Sequence, residues 1–231
     1  MRTRLQIITI CMLSVVGPAA WAVGNGPMSG GGMPGGGGGD IQSPQDQART
    51  FYNIGVRDVR KADKFEATAA GLTDDGKKTK ALGEARRLYS TSLQKFQQAV
   101  QLDPRLHEGW NYVGYTHRKL GDYDDALAAY ERALALRPGF PEAIEYRAEA
   151  FLALNRISDA QQSYLELFAT NRAIAGKLLD AMKTWIATQK SATSGGDQTA
   201  VNDLDKWVQE RSQIAGQTAS LTREGSAASW H

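Results

Sequence analysis

The sequence predicts an all-α protein built as a stack of helix-turn-helix repeats. Three observations lead there. From about residue 44 to about 215, apolar side chains recur at spacings of three and four, and no stretch alternates as a strand would. Turn residues punctuate that pattern at intervals of about 12 to 25 residues. Within it, large and small side chains return with a period of 34. The composition agrees and narrows the function classes. With 42% hydrophobic and 23% charged residues the chain of 231 is globular in character. Lys+Arg 27 against Asp+Glu 25 excludes a polybasic nucleic-acid arm as its main business. One cysteine excludes a disulfide framework and any multi-cysteine zinc or iron–sulfur site.

Residues 1–22 read as an address. Arg2 and Arg4 form a positive start, Leu5 to Val16 is mostly apolar, Pro18 breaks the run, and Ala20-Trp21-Ala22 is an A-x-A cleavage site. This is the layout of a secretory signal peptide, too short to span a bilayer as an anchor. Ile10 before Cys11 argues against lipidation, because lipoprotein motifs place a small residue there. Cleavage after Ala22 removes the sole cysteine and leaves 25 basic against 25 acidic residues. The expected destination is export across an inner membrane, with the periplasm as the compartment in a Gram-negative cell.

Residues 23–42 read as a flexible Gly-rich linker, since 24–39 hold ten glycines with little to bury. Helices are then expected near 44–70, 78–102, 107–119, 123–136, 141–154, 157–169, 173–188 and 201–215. Ser43 caps the first, Pro44 suits its first position, and Asp46 stands near its positive end.

The repeat is clearest in 107–140. Counting His107 as position 1, Trp110, Val113, Gly114 and His117 stand at positions 4, 7, 8 and 11 of a first helix. Ala126, Tyr130 and Ala133 stand at 20, 24 and 27 of a second, and Pro138 closes the unit at 32. Gly114 and Ala126 are small where antiparallel helices approach closely; Trp110 and Tyr130 are large where the pair meets its neighbours. Gly121 breaks the chain, with Asp122 expected to cap the next helix. The unit 141–172 repeats the pattern with Ile144, Ala148, Phe151, Ala160, Tyr164 and Phe168, and Ser158 with Gln161 reads as a capping box. Arg147 and Arg172 depart from it.

Backwards, Phe96, Ala99 and Pro104 match a second half, and Phe51, Ile54 and Gly55 match a first half that starts at Ala48. The first repeat, 48–106, therefore carries about 25 extra residues, read as a long helical hairpin turning at Gly71 to Gly76. Beyond the array, 173–215 supplies closing helices: Ile174, Leu178, Met182, Trp185 and Ile186 form one apolar stripe, and Val201, Leu204, Trp207 and Val208 begin another. Residues 216–231 read as a flexible polar tail.

This pattern resembles the tetratricopeptide repeat (TPR) at nearly every marked position of 107–140. The resemblance implies a right-handed α-solenoid of about three repeats over 43–172, with an extended first hairpin and C-terminal capping helices. It implies that positions 2, 5, 9, 12 and 13 of successive first helices face a concave groove. Those are Arg49, Tyr52, Val56, Val59 and Arg60; Glu108, Asn111, Tyr115, Arg118 and Lys119; and Glu142, Glu145, Glu149, Leu152 and Ala153. Tyr52, Asn111, Tyr115, Arg118, Glu142, Glu145 and Glu149 are the candidate partner-binding residues. Glu142 and Tyr146 stand where a carboxylate clamp wants Lys and Arg, so a C-terminal carboxylate ligand is not supported, and three glutamates favour a Lys- or Arg-containing segment.

Residue patterns for chemistry are thin. There is no HExxH, CxxC, GxSxG or phosphate loop followed by Lys. His107 and His117 diverge by about 80 degrees on one helix, and His117 reads as a packing side chain hydrogen-bonded locally. The sequence thus predicts a non-enzymatic scaffold that uses no metal or cofactor. Its expected partner is a protein or peptide, with no nucleic acid and no stable membrane insertion after cleavage. A self-assembling protein that joins copies through its C-terminal helices is the alternative, and the oligomeric state stays open.

Overall fold

The computed structural model describes residues 43–191 and 198–227, with side chains described through 217. The signal-peptide and Gly-rich linker expectations, 1–22 and 23–42, lie outside the described residues. So do 192–197 and 228–231.

Eight helices follow one another: α1 (Pro44–Ala70), α2 (Asp75–Leu102), α3 (His107–Leu120), α4 (Tyr123–Leu136), α5 (Pro141–Ala153), α6 (Ile157–Thr170), α7 (Arg172–Ser191) and α8 (Gln198–Ala227). No strand occurs among the described residues. Helix pairs α1–α2, α3–α4, α5–α6 and α7–α8 pack as antiparallel neighbours. The first helices touch in chain order, α1 on α3, α3 on α5 and α5 on α7. The fold is the expected all-α solenoid, with the long hairpin α1–α2 at its start.

Its periodicity is visible in one repeated contact. A Cβ added to Gly114 would stand 2.6 Å from the Tyr130 ring, and one on Gly55 would stand 2.7 Å from Phe96. These are positions 8 and 24 of repeats two and one. In the third repeat Ala148 and Tyr164 occupy the same pair, both buried. A small residue on the first helix thus receives an aromatic from the second, which sets how closely each pair packs.

The turns repeat as well. Gly121 takes a left-handed φ of 96°, and Asn155, 34 residues later, takes φ 57°. In each case the next amide reaches back five residues: Asp122 N–H donates to His117 O at 2.9 Å, and Arg156 N–H donates to Phe151 O at 2.8 Å. This is the Schellman closure, which glycine adopts freely and asparagine tolerates.

Ser43 caps α1 as expected, its hydroxyl accepting from the Asp46 amide at 3.1 Å. Two other expected caps are corrected. Asp122 makes no side-chain cap to α4; its carboxylate lies 3.4 Å from His117 Nδ1 instead. The Ser158–Gln161 box does not form, because α6 already begins at Ile157 and places Ser158 inside the helix. Arg156 turns onto Asp159 at 2.7 Å there.

The C-terminal part closes the array as expected and departs from expectation in one respect. The helix expected to end at 215 continues to Ala227, so the polar stretch from 216 is helical over most of its length rather than starting as a tail. The Val201-Leu204-Trp207-Val208 stripe packs back onto the array. Val201, Leu204 and Val208 are buried in one cluster with Leu178, Met182, Ile186 and Tyr164, and Trp207 meets Tyr164 edge-on at 5.3 Å.

Candidate functional site

The face formed by α1, α3, α5 and α7 carries the residues expected to line a groove. Each helix presents them for the same reason: its small and apolar residues turn toward the paired second helix, and the next stripe round turns toward the neighbouring first helix.

Aromatic rings run along this face. Tyr52 meets Tyr112 edge-on at 5.6 Å, Tyr112 meets Tyr115 at 6.0 Å, and Tyr115 meets Tyr146 at 5.1 Å. Phe96 stacks beneath Tyr112 at 4.9 Å. Edge-to-face pairs of this kind stabilise beyond simple burial. Burial, then the neighbouring Tyr112 and Glu108, pushes the Tyr52 hydroxyl up to about 12.

Charged groups stitch the same face. Arg118 donates to Glu149 at 2.6 Å, and its guanidinium lies over the Tyr115 and Tyr146 rings at 5.2 and 5.5 Å. Asp63 accepts from two hydroxyls, Tyr89 at 2.6 Å and Tyr115 at 2.7 Å. Burial and then these bonds raise both tyrosines far above their ordinary range. Glu66 pairs with Lys119, whose ammonium lies 5.4 Å from the Tyr89 ring. Both α1 carboxylates thus fasten the long hairpin to α3.

The seven candidate residues divide accordingly. Tyr52, Tyr115 and Glu142 are half-buried on the face. Arg118 and Glu149 are half-buried and spent on each other. Asn111 and Glu145 are not open lining residues: they retain only 3% and 6% of their exposure. They occupy position 5 of consecutive repeats, where the close approach of first helices covers short side chains. Asn111 Oδ1 is buried with no hydrogen-bond partner. The Glu145 carboxyl is pushed up to about 7, first by burial, then by Glu149, against the opposing pull of Lys177 and Arg118. The three glutamates therefore do not form a uniformly anionic patch. Of the remaining positions, Val59 and Leu152 are buried, whereas Arg49, Arg60 and Ala153 are exposed.

Asp63 and Glu66 escaped the sequence reading. The stripe Tyr52, Val56, Val59, Asp63, Glu66 advances by four and three without a break, so following it past the repeat boundary would have found them. Between α5 and α7 a hollow of about 300 Å³ is lined by Glu149, Leu152, Ala181, Thr184, Trp185 and Thr188. Trp185 belongs to the expected closing stripe; half-buried, it also borders this hollow. His117 behaves as expected, half-buried and held by Asp122.

Among the described residues no group of three or more His, Cys, Asp or Glu side chains could hold a metal ion. None of the described helices is long and apolar enough to cross a membrane.

Residues 107–140 match the family model described as Tetratricopeptide repeat. The matched stretch is the unit whose positions were counted above, from the start of α3 to the residue before α5. Among solved structures, the chain is similar to one titled "First TPR of Spaghetti (RPAP3) bound to HSP90 peptide SRMEEVD". The identity is 16% and the TM-score 0.37, over 55% of this chain and 94% of that one.

Proposed function

We propose that this protein is a non-catalytic scaffold that holds an extended protein or peptide segment along the face of α1, α3, α5 and α7. The observation that supports this best is the continuous run of Tyr52, Tyr112, Tyr115 and Tyr146, leading to the hollow between α5 and α7. Aromatic rings on rigid helices offer a large contact area at little entropic cost. Because Glu149 is already neutralised by Arg118, a Lys or Arg of the partner would be read at Glu142, with Trp185, in the hollow beside Glu149 and Leu152, as the apolar anchor further along the face.

Photo-crosslinking residues placed at Glu142 and, as a control, at exposed Glu131 on α4 test this in the native cell. An adduct from position 142 and none from 131 is expected. Glu142→Lys with Trp185→Ala should abolish the adduct captured through a crosslinker at Lys177 while the helical circular dichroism persists. Adducts from 131 alone would move the site to the opposite face.

The leader over 1–22 supports export and a role in the cell envelope. N-terminal sequencing of the protein from fractionated cells is expected to begin at Val23. The alternative of self-assembly through α8 loses most of its apolar stripe, since Val201, Leu204 and Val208 are buried within the same chain and only Ile214 stays exposed among the described large apolar side chains of that helix.

A further inference from the structure

The long hairpin does more than fasten to α3. Between residues 57 and 87 it carries nine Lys and Arg side chains, and every one is exposed. Its six carboxylates are mostly committed. Asp63 and Glu66 face α3 as described, Asp58 and Glu84 pair with Lys61 and Arg87, and Asp74 accepts from the Lys77 amide at the start of α2. Seven of the nine cations have no ion pair among the described residues. The charge balance of the whole chain hides this local excess.

The excess is organised on one side of α1. Arg57, Lys61, Lys64, Phe65 and Thr68 follow spacings of four, three, one and three, which gathers them on one helical face. That face lies away from Gly55, Val59, Ala62 and Ala69, the buried side of the helix. Lys61, Lys64, Phe65 and Thr68 line a hollow of about 270 Å³, and Phe65 keeps 39% of its exposure. A large exposed aromatic flanked by the unpaired Arg57 and Lys64 is unlike the tyrosine face, where Arg118 pairs with Glu149 and Lys119 with Glu66.

We propose that this outer face of α1 is a second docking surface, separate from the tyrosine face, for an acidic protein segment with an aromatic or aliphatic anchor residue. Charge complementarity selects the partner: carboxylates meet Arg57, Lys61 and Lys64 while the anchor covers Phe65. The hollow has room for one large side chain, which suits a peptide anchor. A bilayer would need a broader apolar face than a single phenylalanine provides, and a nucleic acid, bound mainly through its phosphates, would draw little from the hollow between Lys61, Lys64 and Phe65.

The test uses the full chain and fluorescence anisotropy of a labelled peptide with repeating Glu-Glu-Leu-Phe. Binding is expected, weakening steeply with added salt. K61E with K64E should lower affinity at least tenfold and F65A at least threefold. All three substitutions sit on exposed positions, so circular dichroism and the unfolding midpoint should stay near the parent's. E142K, on the tyrosine face, should leave this peptide's affinity unchanged, so failure of the groove reading and failure of this one are distinguishable. Equal binding of a Lys-Lys-Leu-Phe peptide, or an unaltered affinity in the K61E/K64E chain, would overturn the proposal. So would tighter binding to anionic phosphatidylglycerol vesicles or to a DNA duplex than to the acidic peptide.

Discussion

At the scale of single residues, the closeness of each helix pair rests on what is missing from position 8. Gly114 leaves the Tyr130 ring room that a methyl group would invade, with the nearest ring carbon 2.6 Å from where Cβ would stand. Tyr130 is fully buried, so its ring cannot move aside into solvent. Gly114→Ala should therefore destabilise the fold by about 1–3 kcal/mol through overpacking. The identical substitution at Gly83, exposed in the middle of α2 with nothing within 4 Å of a new Cβ, should stabilise by about 0.5–1 kcal/mol. Urea unfolding of the two variants reads both signs in one experiment. If both shift the midpoint the same way, close approach does not govern position 8. Gly121 works by a different route, through a left-handed φ, and its equivalent Asn155 shows that the turn needs a conformation rather than an absent side chain.

At the scale of the element, α5 carries a carboxyl whose titration is moved up to about neutrality. The Glu145 carboxyl moves from an ordinary 4.5 to about 7, chiefly because it is buried and then because Glu149 stands nearby. Between those pH values the native chain binds more protons than the unfolded chain. The contribution is thus fully present below 4.5, and stability declines as pH rises through 7. Glu145→Gln removes the ionisation while keeping the shape. It should unfold at the parent's denaturant midpoint near pH 4.5 and exceed the parent at pH 8 by at most about 3 kcal/mol. Equal pH dependence in parent and variant would show that Glu145 is solvated after all. The position of Glu145 also marks how far local pattern reaches. Helix bodies were legible because burial of Val113, Tyr130 or Leu178 follows directly from periodic apolar spacing. The closing turn at Gly121 was legible because glycine is the default left-handed residue. Ser158 misled because a hydroxyl three residues before Gln161 is only permissive, while the backbone closure at Asn155 set where α6 starts. Asn111 and Glu145 misled because a position number gives direction around a helix but not the distance to the next one.

At the scale of the molecule, stability in a stacked array is close to a sum of neighbour contacts, and its exposed end needs a closing surface. Here α7 continues the row of first helices on α5, and α8 completes it as the fourth second helix. The buried side chains of Val201, Leu204 and Val208, with the Trp207 ring on Tyr164, make α8 part of the core. Burying side chains of that size contributes about 1.5–3 kcal/mol each. A chain ending before Gln198 should therefore lose on the order of 5 kcal/mol or more. It would also leave the α7 stripe of Leu178, Met182 and Ile186 open to water, which promotes association. Multi-angle light scattering separates this from assembly through α8. A closing helix predicts that truncation raises the average mass and lowers the unfolding midpoint together. An assembly helix predicts the reverse in mass: an oligomer in the full chain that falls to a monomer when α8 is removed, with the unfolding midpoint of the remaining array unchanged.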